Sequence, residues 1–279
     1  MPELPEVETM VRGIRDALTG AVLVDVAPGE SRCRPICMEP DFKTIRKICR
    51  NQQVTGVRRR AKRIVIDLEN SHSFVIEPRM TGLMLTQDPP TRDHLRFQWI
   101  LEYMGKRASV WFWDQRGLGT LRLVSREQLA EMFAPDRLGP DALEMTVEEC
   151  RERFRQTQRA VKVALLDQKV VAGIGNLYAS EILHRAGIHP VRPANTLSLV
   201  KIRRLHAATA EILTEAIRYE GSTLSDGTYR NALNHDGSYQ NQHRVYAKAG
   251  SRCPSCGRGT IERIVQAQRS TFYCARCQK

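Results

Sequence analysis

The feature that most constrains this chain is a pair of cysteine doublets near its C-terminus, in the pattern Cys253-x2-Cys256-x17-Cys274-x2-Cys277. Two such turns supply the four thiolates of a tetrahedral zinc site. The residues between the doublets, from Ile261 to Tyr273, have the strand-like composition of a β-hairpin, so we predict a zinc ribbon. Four cysteines fill the coordination shell, and we therefore expect one structural Zn2+ that supplies folding energy. The alternative is four surface thiols, which would be liable to oxidation.

The charge of the chain is strongly positive, with 43 Lys and Arg against 31 Asp and Glu in 279 residues, a formal net charge of +12. Such a surplus favours a polyanionic partner, either nucleic acid or a membrane surface. A solvated basic surface without a partner is the alternative. No stretch reaches the ~18 consecutive apolar residues of a membrane helix, and the acidic N-terminus lacks the layout of a signal peptide. We therefore expect a soluble, intracellular protein.

The first half of the chain predicts an N-terminal helix followed by β-structure. Apolar residues recur at helical spacing over 4–20. Short β-rich runs separated by breakers then follow at 64–68, 74–76, 95–100 and 109–113. Several short strands at this spacing indicate a β-sandwich or barrel of about 100 residues.

The second half of the chain predicts helices. A Pro- and Gly-containing linker at 134–141 precedes helical patterns at 146–156, 159–168, 176–187 and 196–219. A glycine-bearing turn at 170–176 separates two of these helices, and the polar segment 221–243 has the composition of a mobile loop. The fold class is therefore α+β, with two domains and a zinc-held end.

The N-terminus carries a potential nucleophile. Removal of Met1 would expose Pro2 as a secondary amine, and an α-amino group with a pKa of about 7.7–8.0 is partly neutral at pH 7. A neutral amine can attack an electrophilic sugar carbon and form an iminium. Glu3 and Glu6 are adjacent candidates for acid–base work. From composition alone, however, these residues are equally those of an ordinary helix start.

The blocks of sequence along the chain resemble the formamidopyrimidine-DNA glycosylase (Fpg/Nei) family. The first block, Met-Pro-Glu-Leu-Pro-Glu-Val-Glu-Thr at 1–9, resembles the oxidised-purine branch of that family. Further blocks of similar order and spacing lie at 59–63, 93–95, 171–181, 186–190 and 268–274. The resemblance implies an N-terminal catalytic helix and β-sandwich domain at 1–134 and a helix–two-turn–helix DNA-binding domain at 135–222. It also implies a lesion loop and zinc ribbon at 223–279, with the ribbon at 244–279.

The resemblance also implies roles for individual residues. Pro2 is expected to be the Schiff-base nucleophile at C1′ of the damaged nucleotide, and Glu3 the acid that opens the sugar ring. Lys62 corresponds to a phosphate-contacting proton donor for β-elimination, and Arg269 to the ribbon arginine of δ-elimination. The expected DNA-binding residues are His94, Arg116, Lys162, Asn176 and Met80.

Each of these DNA-binding residues also has a purely structural interpretation. Met80 resembles a wedge that fills the gap left by an extruded base, and Arg116 the reader of the orphaned cytosine, but a methionine at a strand end is more commonly core packing. Asn176 suits phosphate oxygens at a helix start, or a simple N-cap, or both. Lys162 resembles a lysine near the bound lesion, and His94 rests on the resemblance alone.

Two segments depart from the family pattern. Glu77-Pro78-Arg79 replaces a His-x-Gly sequence before Met80, which puts a carboxylate where a phosphate-facing imidazole is usual. A charge of that sign would repel DNA unless Arg79 offsets it. Gly117-Leu118 replaces an Arg-Phe pair, so the usual aromatic wedge is Leu118. Both departures bear on lesion preference and on discrimination of the opposite base.

These observations predict a monomeric, cytoplasmic bacterial enzyme of base-excision repair that acts on damaged double-stranded DNA. It would excise oxidised purines, such as 8-oxoguanine and formamidopyrimidines, and cut the strand by β,δ-elimination. One alternative is an enzyme of the same fold that prefers oxidised pyrimidines or further-oxidised guanine products. Another is a non-catalytic nucleic-acid-binding protein, against which the joint presence of Pro2, Glu3, Lys62 and Arg269 argues.

Overall fold

The computed structural model describes residues 2–29, 34–224 and 227–279. These residues form two compact units. The first contains residues up to Phe133 together with Tyr219–Gln240, and the second contains Ala134–Arg218 and Asn241–Lys279. Met1, whose removal the sequence analysis predicts, lies outside the described residues.

The first unit begins with a helix and continues as an antiparallel β-structure. Helix α1 (Leu4–Leu18) has Pro5 in its first turn, where the missing N–H costs no hydrogen bond. Its apolar face is buried, and it ends two residues before Gly20, whose φ is +83°. The strands and short helices that follow are β1 (Val22–Pro28), β2 (Cys37–Glu39), α2 (Phe42–Cys49), β3 (Gln52–Arg60), β4 (Arg63–Leu68), β5 (His72–Glu77), β6 (Gly82–Leu85), β7 (Leu95–Tyr103), β8 (Lys106–Asp114), β9 (Thr120–Ser125) and α3 (Arg126–Met132).

The nine strands of this unit are hydrogen-bonded in the order β2-β9-β5-β4-β3-β1-β7-β8-β6. Strands β1 and β3 are joined by only two residue pairs, Val22–Gln53 and Leu23–Gln52. Phe74 of β5 packs edge-to-face on Trp99 of β7, three places along the strand order, with 5.6 Å between ring centroids. The sheet therefore folds over on itself around one hydrophobic core, to which α1 also contributes.

The segment Tyr219–Gln240 belongs to this first unit and is much more buried than its composition suggests. Tyr229 and Ala232 are 2% exposed and are part of the core. Ala232 packs so closely against α1 that a Cβ at Gly13 would lie 2.4 Å from its own Cβ. The described part of 221–243 has irregular backbone, as the sequence predicts, but its apolar side chains hold it against α1.

The second unit is helical and ends in a β-hairpin. Its elements are α4 (Val147–Arg155), α5 (Val161–Leu166), α6 (Asn176–Ala186), α7 (Leu199–Arg218), β10 (Ile261–Gln266) and β11 (Arg269–Cys274). Thr146 and Glu149 form the capping box that the sequence predicts at the start of α4. Gly187 ends α6 in the left-handed conformation, with φ of +67°.

Glu181 of α6 anchors the segment that leads into the hairpin. Its carboxylate is fully buried and accepts hydrogen bonds from the backbone N–H groups of Arg244, Val245 and Tyr246, at 2.8 to 3.0 Å. Burial raises the pKa of Glu181, and the three N–H donors oppose that shift. The hairpin end of the chain is thus tied to the helices by a buried acceptor and not only by apolar contact.

The architecture confirms the α+β class. The N-terminal helix, four of the strands, the four long helices and the hairpin all lie where the periodicity predicts them, with ends shifted by one to three residues. The sequence analysis missed α2, α3 and the strands β1, β2, β3, β6 and β9. None of the helices in the described part of the chain is long and apolar enough to span a membrane.

Candidate active site and nucleic-acid interface

The N-terminal turn of the first unit holds the predicted nucleophile and acid. Pro2 is buried and Glu3, the residue before α1, is 4% exposed. Glu6 is equally buried, and its carboxylate bridges two backbone groups. It accepts from the N–H of Glu3 and from the N–H of Ser222, each at 2.9 Å. Glu6 therefore anchors the turn next to Pro2 to the 221–224 segment, an arrangement that favours positioning over the acid–base work for which it was a candidate.

The approach between Glu6 and the 221–224 segment depends on a glycine. Gly221 has φ of +78°, and a Cβ there would lie 2.8 Å from Glu6 Oε1 and 3.1 Å from the ring of Tyr229. Tyr229 is buried beside Glu6, and burial together with that carboxylate raises the pKa of its hydroxyl. Its hydroxyl donates to the carbonyl of Glu220 at 2.9 Å. This side of the N-terminal turn is thus closely packed.

Lys62 lies at the turn between β3 and β4. Ala61, with φ of +55°, and Lys62 are the two residues between the paired ends Arg60 and Arg63. Lys62 is half-buried. A two-residue turn fixes the direction in which its side chain leaves the sheet, which suits a residue that must deliver a proton to one place.

The turns that carry Met80 and Arg116 are held together by one buried carboxylate. Asp114, fully buried at the end of β8, accepts from the hydroxyl of Thr81 at 2.5 Å and from the N–H of Gly119 at 2.7 Å. The N–H of Arg116 lies 3.0 Å from the Thr81 hydroxyl and 3.2 Å from Asp114. Arg116 is exposed, whereas Met80 is half-buried. The structure thus brings the predicted wedge and the predicted base reader onto one rigid unit.

His94 and Leu118 lie close to this arrangement. His94 is half-buried, packs edge-to-face on Trp113 at 5.3 Å, and its carbonyl accepts from the N–H of Asp114. Leu118 is half-buried in the turn between Arg116 and Gly119. A leucine at this position can insert between bases as an apolar wedge, but it offers no ring for stacking.

In the second unit, Lys162 and Asn176 are directly hydrogen-bonded. Lys162 is fully buried, and its Nζ donates to Asn176 Oδ1 at 2.7 Å, to Thr271 Oγ1 at 2.7 Å and to the carbonyl of Ser270 at 3.1 Å. Asn176 Nδ2 donates to the same carbonyl at 3.1 Å. A buried ammonium needs such acceptors. This lysine joins α5, the start of α6 and β11.

The N-cap interpretation of Asn176 is wrong, because Gly175 occupies that position and Asn176 is the first residue of α6. Its amide is engaged by Lys162 and Ser270. The groups at this turn that suit a phosphate are therefore the backbone N–H groups at the start of α6. Gly173, with φ of +109°, gives the turn its path.

Arg269 lies at the tip of the C-terminal hairpin. It is exposed and opens β11, opposite Gln266 at the end of β10. The two residues that connect the strands, Ala267 and Gln268, have φ of +46° and +60°. This conformation is usual for a tight hairpin turn but strained for residues other than glycine, asparagine and aspartate.

The four cysteines of the doublets form the metal-ligand cluster found in the described residues. Their sulfur atoms all lie within 4.8 Å of one another, and the pairs Cys253–Cys277 and Cys256–Cys274 are 3.7 and 3.9 Å apart. A tetrahedron with Zn–S bonds of about 2.3 Å has edges of about 3.8 Å, so the spacing fits zinc. His184 Nε2 lies 3.5 Å from Cys253 Sγ and can orient that sulfur.

The remaining described cysteines behave as ordinary thiols. Cys49 and Cys150 are fully buried, and burial raises the pKa of each to about 12. Thiols with so high a pKa are unreactive at neutral pH. This is consistent with the reading of the chain as one metal site and no disulfide framework.

The geometry therefore defines a zinc-containing nucleic-acid enzyme with an N-terminal imino acid at its active site. Three family profiles match the chain. The formamidopyrimidine-DNA glycosylase N-terminal domain matches residues 1–121, the H2TH domain of the same enzymes matches residues 138–228, and a zinc finger found in FPG and IleRS matches residues 250–279.

Curated relatives and solved structures agree with these profiles. The chain is 39% identical to the formamidopyrimidine-DNA glycosylase of Gluconobacter oxydans over the whole of both chains, and 36% identical to that of Chloroflexus aurantiacus over 100% of this chain and 98% of the relative. The MutM (Fpg) crystal structure from Thermus thermophilus is 36% identical, with a TM-score of 0.85 over 99% and 98% of the two chains. A Lactococcus lactis Fpg mutant bound to Fapy-dG-containing DNA is 30% identical, with a TM-score of 0.86 over the whole of both chains.

The chain belongs to the formamidopyrimidine-DNA glycosylase family of DNA-repair enzymes. It is accordingly a DNA glycosylase and AP lyase by family, with a zinc finger at its C-terminus. Both the family resemblance and the zinc site inferred from the sequence are thereby confirmed.

Sequence reasoning missed three residues that shape the site. Asp114 lies in a segment that matched the family only in part, and Thr81 offers no signal before its contact with Asp114 is known. The bridging role of Glu6 depends on Ser222, which is 216 residues away. Each role rests on a contact between distant segments, which local patterns do not reveal.

Proposed function

We propose that this enzyme excises oxidised purines, such as 8-oxoguanine and formamidopyrimidines, from double-stranded DNA and then cuts the strand by β,δ-elimination through an iminium at Pro2. The observation that carries this proposal is the N-terminal turn, where Pro2 lies next to Glu3 in a buried setting fixed by Glu6. Support also comes from Lactococcus lactis Fpg, which has been crystallised with Fapy-dG DNA and with abasic-site DNA.

The first step uses the Pro2 nitrogen after removal of Met1. Its lone pair forms a bond to C1′ while the bond from C1′ to the base breaks, and the departing base takes up a proton. Glu3 then gives a proton to the ring oxygen, the sugar opens, and C1′ and the nitrogen are left as an iminium. Pro2 is the residue for this role because a secondary amine can form a cationic iminium without losing a further proton.

The iminium makes two eliminations feasible. Loss of a proton from C2′ breaks the bond to the 3′-phosphate, and loss of a further proton from C4′ breaks the bond to the 5′-phosphate. We assign Lys62 to proton transfer in the first elimination and Arg269 to the phosphate leaving in the second. Lys62 leaves a fixed two-residue turn, and Arg269 projects from the exposed tip of the hairpin.

The sugar carbon is shielded inside a stacked duplex, so the damaged nucleotide must be extruded. We assign the filling of the gap to Met80 and Leu118, and the contact with the orphaned base to Arg116. Their common attachment to Asp114 supports this role, because probes that enter one base step must keep a fixed spacing. His94 is assigned to the DNA backbone nearby.

In the second unit we assign DNA binding to the start of α6 and to the hairpin. Lys162 is buried with three acceptors, so its contribution is to hold Asn176 and β11 in place. The backbone N–H groups at the start of α6 would then contact phosphate, since an N-terminal helix end favours anions. The enzyme would act as a monomer in the bacterial cytoplasm.

A lesion panel tests the proposed specificity. Duplexes that contain 8-oxoguanine, a formamidopyrimidine, 5-hydroxycytosine or a further-oxidised guanine would be compared by single-turnover excision. We expect the first two to be cut fastest and to give the 3′- and 5′-phosphate ends of β,δ-elimination. Faster excision of the pyrimidine or of the further-oxidised guanine would favour the same-fold alternative, which Leu118 in place of an aromatic wedge keeps in view.

A further inference from the structure

A cluster of three charged side chains lies beside Met80 and is assigned no role above. Glu77, the last residue of β5, accepts from Arg63 Nε at 2.5 Å through one carboxylate oxygen and from Arg79 Nε at 2.8 Å through the other. The side chains of Glu77, Arg63 and Arg79 are 14%, 25% and 56% exposed. We call these three residues the Glu77 cluster.

The cluster has a net charge of +1, since one carboxylate lies between two guanidinium groups. A guanidinium has five N–H donors, and the contacts with Glu77 engage only Nε of each arginine. The carboxylate therefore fixes the position of the guanidinium groups and leaves each of them donors for a second anion. Arg79 is the more exposed of the two, which makes it the member best placed to meet a ligand from solution.

The backbone that carries Arg79 is also fixed. Arg79 has φ of +56°, an unusual conformation for a residue with a side chain. The N–H of Gly82 donates to the carbonyl of Pro78 at 2.9 Å, and a Cβ at Gly82 would lie 2.5 Å from that carbonyl oxygen. The turn is therefore closed tightly, and it presents Arg79 and Met80 side by side. Backbone strain of this kind occurs preferentially at functional sites.

We propose that Arg79, held in place by Glu77, binds a phosphate of the DNA strand next to the base step that Met80 enters. Arginine is suited to this contact because its planar fork matches phosphate oxygens. On this view Glu77 does not repel DNA but pre-orients the cation that binds it. The inference rests on the proposed function, since it takes the Met80 turn to be a DNA-facing surface.

The two roles that Glu77 could have differ in sign. If Glu77 orients Arg79, the change Glu77→Gln weakens DNA binding although it raises the net charge of the protein by one. If Glu77 only neutralises its neighbours, the same change strengthens binding, because a negative charge is removed from a surface that faces phosphates. One measurement of affinity therefore separates the two roles.

The test measures binding of the full-length, zinc-loaded protein to a duplex with a tetrahydrofuran abasic analogue, by fluorescence anisotropy over a series of KCl concentrations. Arg79→Gln is compared with wild type and with Arg122→Gln. Arg122 is a matched control, since it lies in the same unit and forms a similar ion pair with Glu39 at 2.8 Å. The thermal unfolding of each variant is recorded to verify that it is folded.

Loss of one phosphate contact should lower the slope of log K against log salt by about 0.9 in Arg79→Gln. We expect no such change in Arg122→Gln, and weaker binding than wild type for Glu77→Gln. A wild-type slope in Arg79→Gln, or tighter binding by Glu77→Gln, would overturn the inference. Failure of the wild-type protein to prefer the abasic duplex over intact duplex would instead count against the proposed function.

Discussion

Replacement of Lys162 by methionine tests whether this buried lysine holds the second unit together. Its ammonium is fully buried and donates to three acceptors at 2.7 to 3.1 Å, one each on Asn176, Ser270 and Thr271. Methionine has a similar length and no donor, so Lys162→Met removes the hydrogen bonds with little change in volume. The three acceptors would then be left without their shared partner.

The expected loss of stability follows from these contacts. A hydrogen bond that involves a charged group contributes about 1.5–3 kcal/mol net. Three such bonds to one ammonium are not additive, and removal of the lysine also relieves the cost of burying its charge. We therefore expect the free energy of unfolding to fall by about 3 kcal/mol. The same change at the exposed Lys169 should cost less than about 0.5 kcal/mol.

The assay is urea unfolding followed by two signals. The three tryptophans, Trp99, Trp111 and Trp113, all lie in the first unit, so their fluorescence reports on that unit. Far-UV circular dichroism also reports the helices of the second unit, and we expect Lys162→Met to shift this transition. An unfolding free energy within about 1 kcal/mol of wild type would refute the positioning role. If abasic-site binding were lost at unchanged stability, Lys162 would have to contact DNA directly.

Three further predictions concern other parts of the structure. Asp114→Asn should reduce discrimination between cytosine and adenine opposite 8-oxoguanine, because an amide cannot accept from all of its present donors; unchanged ratios of single-turnover rates would contradict this. Burial and the positive charge of Lys248 lower the pKa of His243 to about 4 from its ordinary 6.5, so the unfolded chain binds this proton more readily. Stability should therefore fall by up to about 3 kcal/mol as the pH drops from 6.5 to 4, and denaturant titrations should show a correspondingly smaller fall for His243→Gln. Zinc chelation should release one equivalent of metal, measured with a colorimetric chelator, and abolish binding to abasic-site DNA until zinc is restored; full binding by metal-free protein would exclude a structural role for the ion.

The elements that local patterns predict correctly are those whose signals are themselves local. Helix α1 combines apolar spacing with a proline in its first turn, and α4 has a capping box within four residues. The zinc site follows from ligand spacing alone. In each case the residues that determine the structure are neighbours in the sequence.

The parts that the sequence did not reveal depend on contacts between distant segments. Strand β2 pairs in parallel with β9, more than 80 residues later, and is only three residues long. The segment 219–240 has a polar, flexible composition, yet Tyr229 and Ala232 bury it in the core of the first unit. Tertiary packing outweighs local composition at these positions, and no periodicity signals it.

The candidate site divides along the same line. The chemical identity of Pro2, Glu3, Lys62 and Arg269 was available from the sequence through family resemblance. The groups that hold such residues were not, because Asp114, Glu6 and Glu77 act through partners that only the fold brings near. Charge patterns in particular misled, since Glu77 is a repulsive group in the sequence and lies between two arginines in the structure.

The central claim, that the Pro2 nitrogen forms the covalent intermediate, is tested most directly by locating the adduct. The enzyme would be incubated with abasic-site DNA and borohydride, which reduces an iminium to a stable amine, and the adduct would be digested and mapped by mass spectrometry. We predict that the sugar remnant is attached to the N-terminal peptide that begins at Pro2, and that Pro2 lacks the preceding methionine. An adduct on Lys62 or another lysine, or no adduct with protein from which Met1 has been removed, would contradict the account.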